Sequence, residues 1–306
     1  MVKTGIIRKG IGGFYYVDAA DAIFDKKEDA FLYECKARGI FRNQNITPLV
    51  GDIVDIEIQD TEKHLATIVK IHKRKNSLIR PASANIDQAI LIFSVKQPAP
   101  NEVLVDSFLI NMEEQGTEVL LCISKTDLDP EKTEVDHLKV IYKKAGYTVI
   151  PICTKTGDGI IELKEKIRGK TSVLSGPSGV GKSSLVNILS DTIHAEVGNI
   201  SEKIGRGKNT TRQTELLDLP EFAEKTRIMD TPGFSSVDIL CHDEKDLQYD
   251  FREFKPFNQT CRFTGCVHMK EPGCNIKKAV EDGIISEERY ISYKKMYESL
   301  KNKRKW

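Results

Sequence analysis

Between residues 176 and 184 the chain reads Gly-Pro-Ser-Gly-Val-Gly-Lys-Ser-Ser. Glycines at this spacing let backbone N–H groups curl around an anion, and a helix N-terminus directly after them adds positive dipole. Lys182 is then placed to reach the β- and γ-phosphates of a nucleoside triphosphate, and the Ser183 hydroxyl to ligate Mg²⁺. The flanks agree with this chemistry. Thr171-Ser172-Val173-Leu174-Ser175 reads as a strand and Ser184-Leu185-Val186-Asn187-Ile188-Leu189 opens a helix, so Gly176, Pro177, Ser178, Gly179, Val180, Gly181, Lys182, Ser183 and Ser184 form a candidate phosphate-binding loop.

Further residues have types suited to the rest of a nucleotide site. Thr226-Arg227-Ile228-Met229 leads into Asp230-Thr231-Pro232-Gly233; an Asp at a strand end holds Mg²⁺ through water, and the Gly233 amide can sense a γ-phosphate. Between these motifs lies the polar stretch Gly205-Arg206-Gly207-Lys208-Asn209-Thr210-Thr211-Arg212. It is either a plain surface loop or a switch in which Thr211, rather than Thr210, completes the Mg²⁺ shell. Ser124-Lys125-Thr126-Asp127 follows an apolar strand. The Asp127 carboxylate there would accept from guanine N1–H and the 2-amino group, which adenine does not offer, while the Lys125 stem covers the base. The usual motif begins with Asn, and alone this tetrapeptide would read as a polar turn. Its support is Cys153-Thr154-Lys155-Thr156-Gly157 after the strand Val149-Ile150-Pro151-Ile152, which resembles the Ser-Ala-Lys loop that touches the guanine oxygen.

The order of these motifs is unusual. The base readers at 124 and 153 precede the phosphate loop at 176, whereas an ordinary small GTPase has the phosphate loop first. Helix Ile160-Ile161-Glu162-Leu163-Lys164-Glu165-Lys166-Ile167 would run through Gly169-Lys170 into the phosphate-loop strand, joining what are normally the two termini. The expected domain is a circularly permuted α/β nucleotide-binding domain, an arrangement that closely spaced termini make tolerable.

A second chemistry is separate from the first. Cys261, Cys266, His268 and Cys274 crowd together with the spacing Cys-x4-Cys-x-His-x5-Cys. Three thiolates and one imidazole fill a tetrahedral Zn²⁺ shell and leave no open position, so one structural zinc is expected. Cys35, Cys122, Cys153 and Cys241 are scattered singly, and an odd total of seven argues against a disulfide framework.

The elements that must carry these sites follow from pattern. At 306 residues, 40% hydrophobic and 30% charged, the chain has the profile of two or three globular domains. It has neither an apolar signal region nor a run long enough to span a bilayer, which points to a cytoplasmic protein. Residues 1–80 read as short strands, with Val54-Asp55-Ile56-Glu57-Ile58 alternating apolar and acidic, and predict a small β-barrel. Residues 81–236 alternate buried strands such as Ala89-Ile90-Leu91-Ile92-Phe93 with helices, as in an α/β sandwich. Residues 237–306 are largely helical around the Cys/His cluster, with Tyr290, Tyr293, Tyr297 and Leu300 forming a stripe suited to core packing. The net charge of +1 says little about nucleic acid. Only the clusters Lys73-Arg74-Lys75 and Lys303-Arg304-Lys305 are candidates for RNA contact, and charge runs of this kind are as often solvated faces.

A barrel, a permuted GTPase domain and a Cys-Cys-His-Cys knuckle together resemble the RsgA family, also called YjeQ or YloQ, over nearly the whole chain. The resemblance implies an OB-fold N-terminus, binding of GTP and GDP, contact with 16S rRNA, action in late assembly of the small ribosomal subunit, and hydrolysis stimulated by that subunit. A monomer is expected. Two departures bear on catalysis. Asn209 stands where the family places a His, and Phe234 stands where many GTPases keep a water-orienting Gln. Slow intrinsic turnover is therefore expected, with the water positioned partly by a partner and no catalytic residue assigned. Two other classes compete: a GTP-dependent RNA-binding switch with negligible turnover, and a guanylate-kinase-like phosphotransferase, whose phosphate loop is similar but which lacks upstream base readers.

Overall fold

The structure, a computed structural model, describes residues 1–19, 32–43, 46–190, 213–219, 222, 224–240 and 243–303. Asn209, Thr210 and Thr211, with the rest of the Gly205–Arg212 stretch, Cys241, and Arg304 and Lys305 of the basic tail lie outside the described residues. Contacts group the chain into two units, each assembled from three stretches. One comprises Met1–Asp87, Ile167–Ser175 and Val186–Pro232, the other Gln88–Lys166, Gly176–Leu185 and Gly233–Trp306.

In the first unit, β1 (Val2–Ile11), β2 (Phe14–Asp18), β3 (Leu32–Ala37), β4 (Ile53–Asp60) and β5 (Leu65–Ile71) close a barrel, with the short helix α1 (Ile40–Asn43) between β3 and β4. The order is β1-β2-β3-β5-β4, and β4 returns to β1. All pairs are antiparallel except β3 with β5, where Cys35 faces Ala66. Alternation in β4 sets its faces: Val54 and Ile56 are fully buried among Ile7, Val17, Cys35 and Ile68. β1 serves both neighbours by changing partner midway, pairing Gly5 with Val54 of β4 and Ile7 with Val17 of β2. A two-stranded ribbon, β6 (Ser77–Leu78) and β7 (Ser83–Ala84), follows the barrel.

The second unit holds three parallel strands, β8 (Gln88–Ser94), β9 (Glu118–Ser124) and β10 (Thr148–Pro151), in the order β10-β9-β8. Every residue of β8 is buried, as its unbroken apolar run requires of a parallel strand covered on both faces. Helices α2 (Glu102–Glu114) and α3 (Thr133–Lys144) are the crossovers, and α4 (Ile160–Ile167) follows β10. Helix α2 starts where the Asn101 side chain accepts the Leu104 N–H at 3.1 Å, an N-cap that satisfies a donor the helix cannot. Helix α3 is capped by the Asp129 carboxylate, which accepts from Glu134 and Val135 N–H at 2.9 and 3.0 Å.

After α4 the chain turns at Lys170 into β11 (Thr171–Ser175), passes through the glycine-rich loop and enters α5 (Lys182–Ser190). In the first unit, β11 runs parallel to β13 (Arg227–Asp230), β12 (Glu215–Asp218) runs antiparallel to β13, and β12 pairs with barrel strand β1 at Lys9 and Glu215. The Arg8 guanidinium reinforces that junction: it donates to Asp18 at 2.6 Å and also to Asp218, which takes a further bond from Arg227 at 2.8 Å. Helices α6 (Asn275–Glu281) and α7 (Glu287–Lys303) end the second unit. They enclose an aromatic core of Phe251, Phe254, Tyr290, Tyr293 and Tyr297 together with Cys266 and Cys274. Among the described residues no helix is long and apolar enough to cross a membrane.

Candidate functional site

The glycine-rich loop lies between β11 and α5, as its flanking sequence requires. Gly176 cannot be replaced without a clash, because a Cβ there would run into the Ile92 carbonyl of β8. Lys182 is 8% exposed, and its ammonium donates to the carbonyls of Gly176 at 2.8 Å and Pro177 at 2.9 Å. It is thus held inside the curve of its own loop, where a cationic end could serve phosphate oxygens. Gly233 lies over the same loop: a Cβ on it would stand 2.9 Å from Lys182 Nζ and 3.1 Å from the Ser178 backbone N. The next residue, Phe234, donates its N–H to the Gly176 carbonyl at 3.4 Å and forms a parallel bridge to Pro177.

Asp230 ends β13 in register with Leu174 of β11. Thr231 donates its hydroxyl to the Leu174 carbonyl at 2.6 Å, which fixes the direction in which the chain leaves the strand. Asp230 is 2% exposed, a setting in which a carboxylate is retained only where charge or hydrogen bonds compensate it.

The candidate base-reading residues converge in the second unit. Ser124 is 3% exposed and its hydroxyl lies 2.6 Å from the Val180 carbonyl of the phosphate loop and 3.2 Å from the Phe93 carbonyl. The residue that departs from the usual Asn therefore ties the base-reading turn to the phosphate loop. Lys125 takes a left-handed backbone conformation, φ 58°, and its ammonium donates to the Gln97 carbonyl. Asp127 Oδ2 receives Lys155 Nζ at 2.6 Å, and the Cys153 thiol lies 3.6 Å from Oδ1. The Lys155 hydrogen bond holds the Asp127 carboxyl below its ordinary range, and the same bond raises Lys155. Thr126 N–H points to the Ile152 carbonyl at 3.5 Å, and the turn Cys153–Gly157 is closed by Gly157 N–H donating to the Cys153 carbonyl at 2.9 Å. Two loops far apart in sequence, 124–127 and 153–157, are thereby one surface. Lys155 as the counter-charge of Asp127 was not legible in the tetrapeptide, because its partner lies across a strand and a helix.

In the candidate metal centre, the ligand atoms of Cys261, Cys266, His268 and Cys274 all lie within 4.8 Å of one another. His268 Nδ1 is 3.7, 3.4 and 3.3 Å from the sulfurs of Cys261, Cys266 and Cys274, and the sulfurs of Cys261 and Cys274 are 3.9 Å apart. Tetrahedral metal–sulfur bonds of about 2.3 Å and metal–nitrogen bonds of about 2.0 Å imply edges of roughly 3.5 to 3.8 Å, so the donor set fits a four-coordinate ion. The second layer fits as well. Gln248 donates its amide N–H to the Lys245 carbonyl at 2.7 Å, which leaves Oε1 facing His268 Nε2 at 2.8 Å. Nε2 must then carry the ring proton, and the Nδ1 lone pair faces the sulfurs. Burial pushes the Cys266 thiol up to about 12. Tyr290 and Tyr293 donate their hydroxyls to the carbonyls of His268 at 2.6 Å and Val267 at 2.8 Å. The tyrosine stripe is core, and its polar tips also hold the metal loop.

The first basic cluster, Lys73-Arg74-Lys75, is less available than its composition suggests. Arg74 makes a two-pronged ion pair with fully buried Asp52, at 2.7 and 2.8 Å, and Lys75 lies 2.5 Å from Asp87. Of Lys73-Arg74-Lys75, two members serve the fold.

Comparison with known proteins shows the family of the chain. Residues 71–240 match the family model described as RsgA GTPase, and residues 4–65 match that of the RsgA N-terminal domain. A protein of Agathobacter rectalis named "Small ribosomal subunit biogenesis GTPase RsgA" is 50% identical over 307 residues, covering 99% of this chain and 100% of that protein. One of the same name from Alkaliphilus metalliredigens is 43% identical over 305 residues and covers 100% of both chains. Among solved structures, YloQ, described as a circularly permuted GTPase, is 35% identical with a TM-score of 0.73, covering 99% of this chain and 96% of that one. YjeQ from Thermotoga maritima is 34% identical with a TM-score of 0.75, covering 98% of this chain and 99% of that one. With its motif order, barrel and Cys/His cluster, the chain belongs to the RsgA family of circularly permuted GTPases.

Proposed function

We propose that this GTPase acts in the maturation of the small ribosomal subunit, as the names of its relatives state of them. The observation that carries its nucleotide chemistry is the bond from Ser124 to the Val180 carbonyl, which supports reading base reader and phosphate loop as one site despite their inverted order. On this reading Gly176–Ser184 cradle the phosphates, Lys182 neutralises the β- and γ-phosphates, and Asp127 reads guanine with Lys125, Thr126 and the turn at Cys153, Thr154 and Lys155 around it. Ser183 and Asp230 would hold Mg²⁺, with Thr211 or Thr210 completing its shell, and the ion would neutralise charge that develops between the phosphates. Lys155 keeps Asp127 ionised and aimed before the base arrives, so less ordering is needed on binding.

The metal of the Cys261, Cys266, His268 and Cys274 centre is zinc on this reading, with a structural role, since a four-ligand shell leaves no position for chemistry. Residues 1–80 would contact 16S rRNA, 81–236 bind and hydrolyse GTP, and 237–306 form the zinc region of a cytoplasmic monomer. Phe234 offers no group to orient water, so the ribosomal subunit itself would complete the hydrolytic site. GTP turnover measured with and without purified small subunits tests this: a rise of at least about tenfold is expected, and equal rates would reject it. Co-sedimentation under GDP and a non-hydrolysable GTP analogue should show preference for the small over the large subunit in the triphosphate state.

A further inference from the structure

We infer that Asn111, together with Phe108 one turn earlier on α2, is a positioning residue for GTP hydrolysis: it clamps the segment that follows Gly233 and so holds that segment's grip on the phosphate loop. Asn111 is 1% exposed. Its Nδ2–H donates to the Asp238 carbonyl at 2.8 Å and its Oδ1 accepts the Leu240 N–H at 2.9 Å. In an extended segment the carbonyl of one residue and the N–H two residues later point to the same side, so one side-chain amide pairs with both as a neighbouring strand would. Phe108 stacks on Phe234 with centroids 5.8 Å apart and planes within 8°. One face of α2 thus grips the segment at both ends. At its start that segment lies on the phosphate loop through the Phe234 N–H to Gly176 bond and the close approach of Gly233 to Lys182 and Ser178.

The clamp stands on a fixed base. On the same helix Asp106 accepts Arg289 NH1 at 2.6 Å, and Arg289 also forks onto Glu253 at 2.6 and 3.1 Å, all three groups being buried. Helix α2 is therefore tied to α7 and to the turn at Arg252–Phe254, and does not shift freely when Asn111 is loaded. A segment whose Gly233 amide senses the γ-phosphate must be placed to within a few tenths of an ångström for that sensing to stabilise the transition state. On the proposed reading, diphosphate affinity comes from the phosphate loop's own backbone and Asp127, neither of which the Asn111 amide touches directly. The consequence is a split: loss of the clamp acts on turnover and leaves diphosphate binding in place.

The inference rests on the GTPase reading, and the experiment separates the two. N111L, N111D and the milder F108L are prepared in the full-length chain, with GDP affinity read by fluorescent-nucleotide titration and hydrolysis by single-turnover GTP cleavage, with and without small subunits. N111L and N111D should lower the hydrolysis rate about tenfold while GDP affinity stays within about threefold, and F108L should shift the rate in the same direction by a smaller factor. Wild-type rates in folded Asn111 variants would overturn the inference, as would rates that fall only in step with GDP affinity. Where neither Asn111 variant folds, F108L decides in the same way. Absence of turnover in the wild-type chain under both conditions would instead reject the GTPase reading.

Discussion

At the scale of single residues, the proposed base choice would rest on one carboxylate. Asp127 has an ion-pair partner in Lys155 and a thiol neighbour in Cys153, so its two oxygens are fixed in direction, and a carboxylate accepts from both donors of the guanine edge. Replacing it by Asn turns one acceptor into a donor, which matches xanthine, whose 2-oxo group takes the place of the 2-amino group. D127N is expected to weaken GTP by about a hundredfold or more and to gain xanthosine triphosphate, since a buried donor facing a donor leaves both unpaired. Competition of the two nucleotides for a fluorescent analogue measures this; a D127N protein that binds GTP like the wild type would remove Asp127 from the base site. Ser124 is the other decisive residue. The tetrapeptide shows a missing Asn, but only the fold shows that the shorter hydroxyl still reaches Val180 O.

At the scale of elements, the helices of the second unit are joined by buried charge. Arg289 on α7 is 1% exposed and meets Asp106 of α2 and Glu253. Against burial, which lowers its pKa, the Asp106 and Glu253 carboxylates hold it charged. Arg289 also lies over the Phe251 ring, 4.6 Å from its centroid, so both charge and stacking are lost on truncation. R289A leaves two carboxylates buried without their cation and should cost about 3–5 kcal/mol, read as a lower denaturant midpoint at neutral pH. R289K should recover part of that loss, because an ammonium supplies charge but not the planar fork. A midpoint unchanged in R289A would show that these helices are held by their apolar core alone. None of this was visible in the sequence, where Asp106 and Arg289 are separated by 183 positions and each reads as an ordinary exposed helix charge.

At the scale of the whole molecule, the chain has two sets of contacts with separate cores: the barrel interior around Ile7, Val54 and Ile68 in one, the aromatic cluster around Phe254 and Tyr293 in the other. Cys266, Cys274 and His268 are built into the second core only. Chelation should therefore melt the region after residue 243 and leave the β-signal of the barrel intact. Calorimetry should show one transition lowered and another unmoved, with metal content followed by atomic absorption. A single transition indifferent to chelator would argue against a structural metal. The weak net charge of +1 has a related consequence: with Arg74 and Lys75 engaged by Asp52 and Asp87, RNA contact cannot rest on the run Lys73-Arg74-Lys75 as a whole.

The sequence by itself determined the chemistry and its order. Glycine spacing, the Cys/His spacing and the strand-loop-helix pattern are local properties, set by which backbone turns and ligand shells a few consecutive residues can form. From them followed the phosphate loop, the metal cluster, the barrel and the permutation. Contact across long separations was decided only by the tertiary structure. Lys155 on Asp127, Gln248 behind His268, the Asn111 clamp and the Arg289 ties all depend on side chains meeting from elements distant in the chain, and periodicity reports which face is buried but not which partner it finds there.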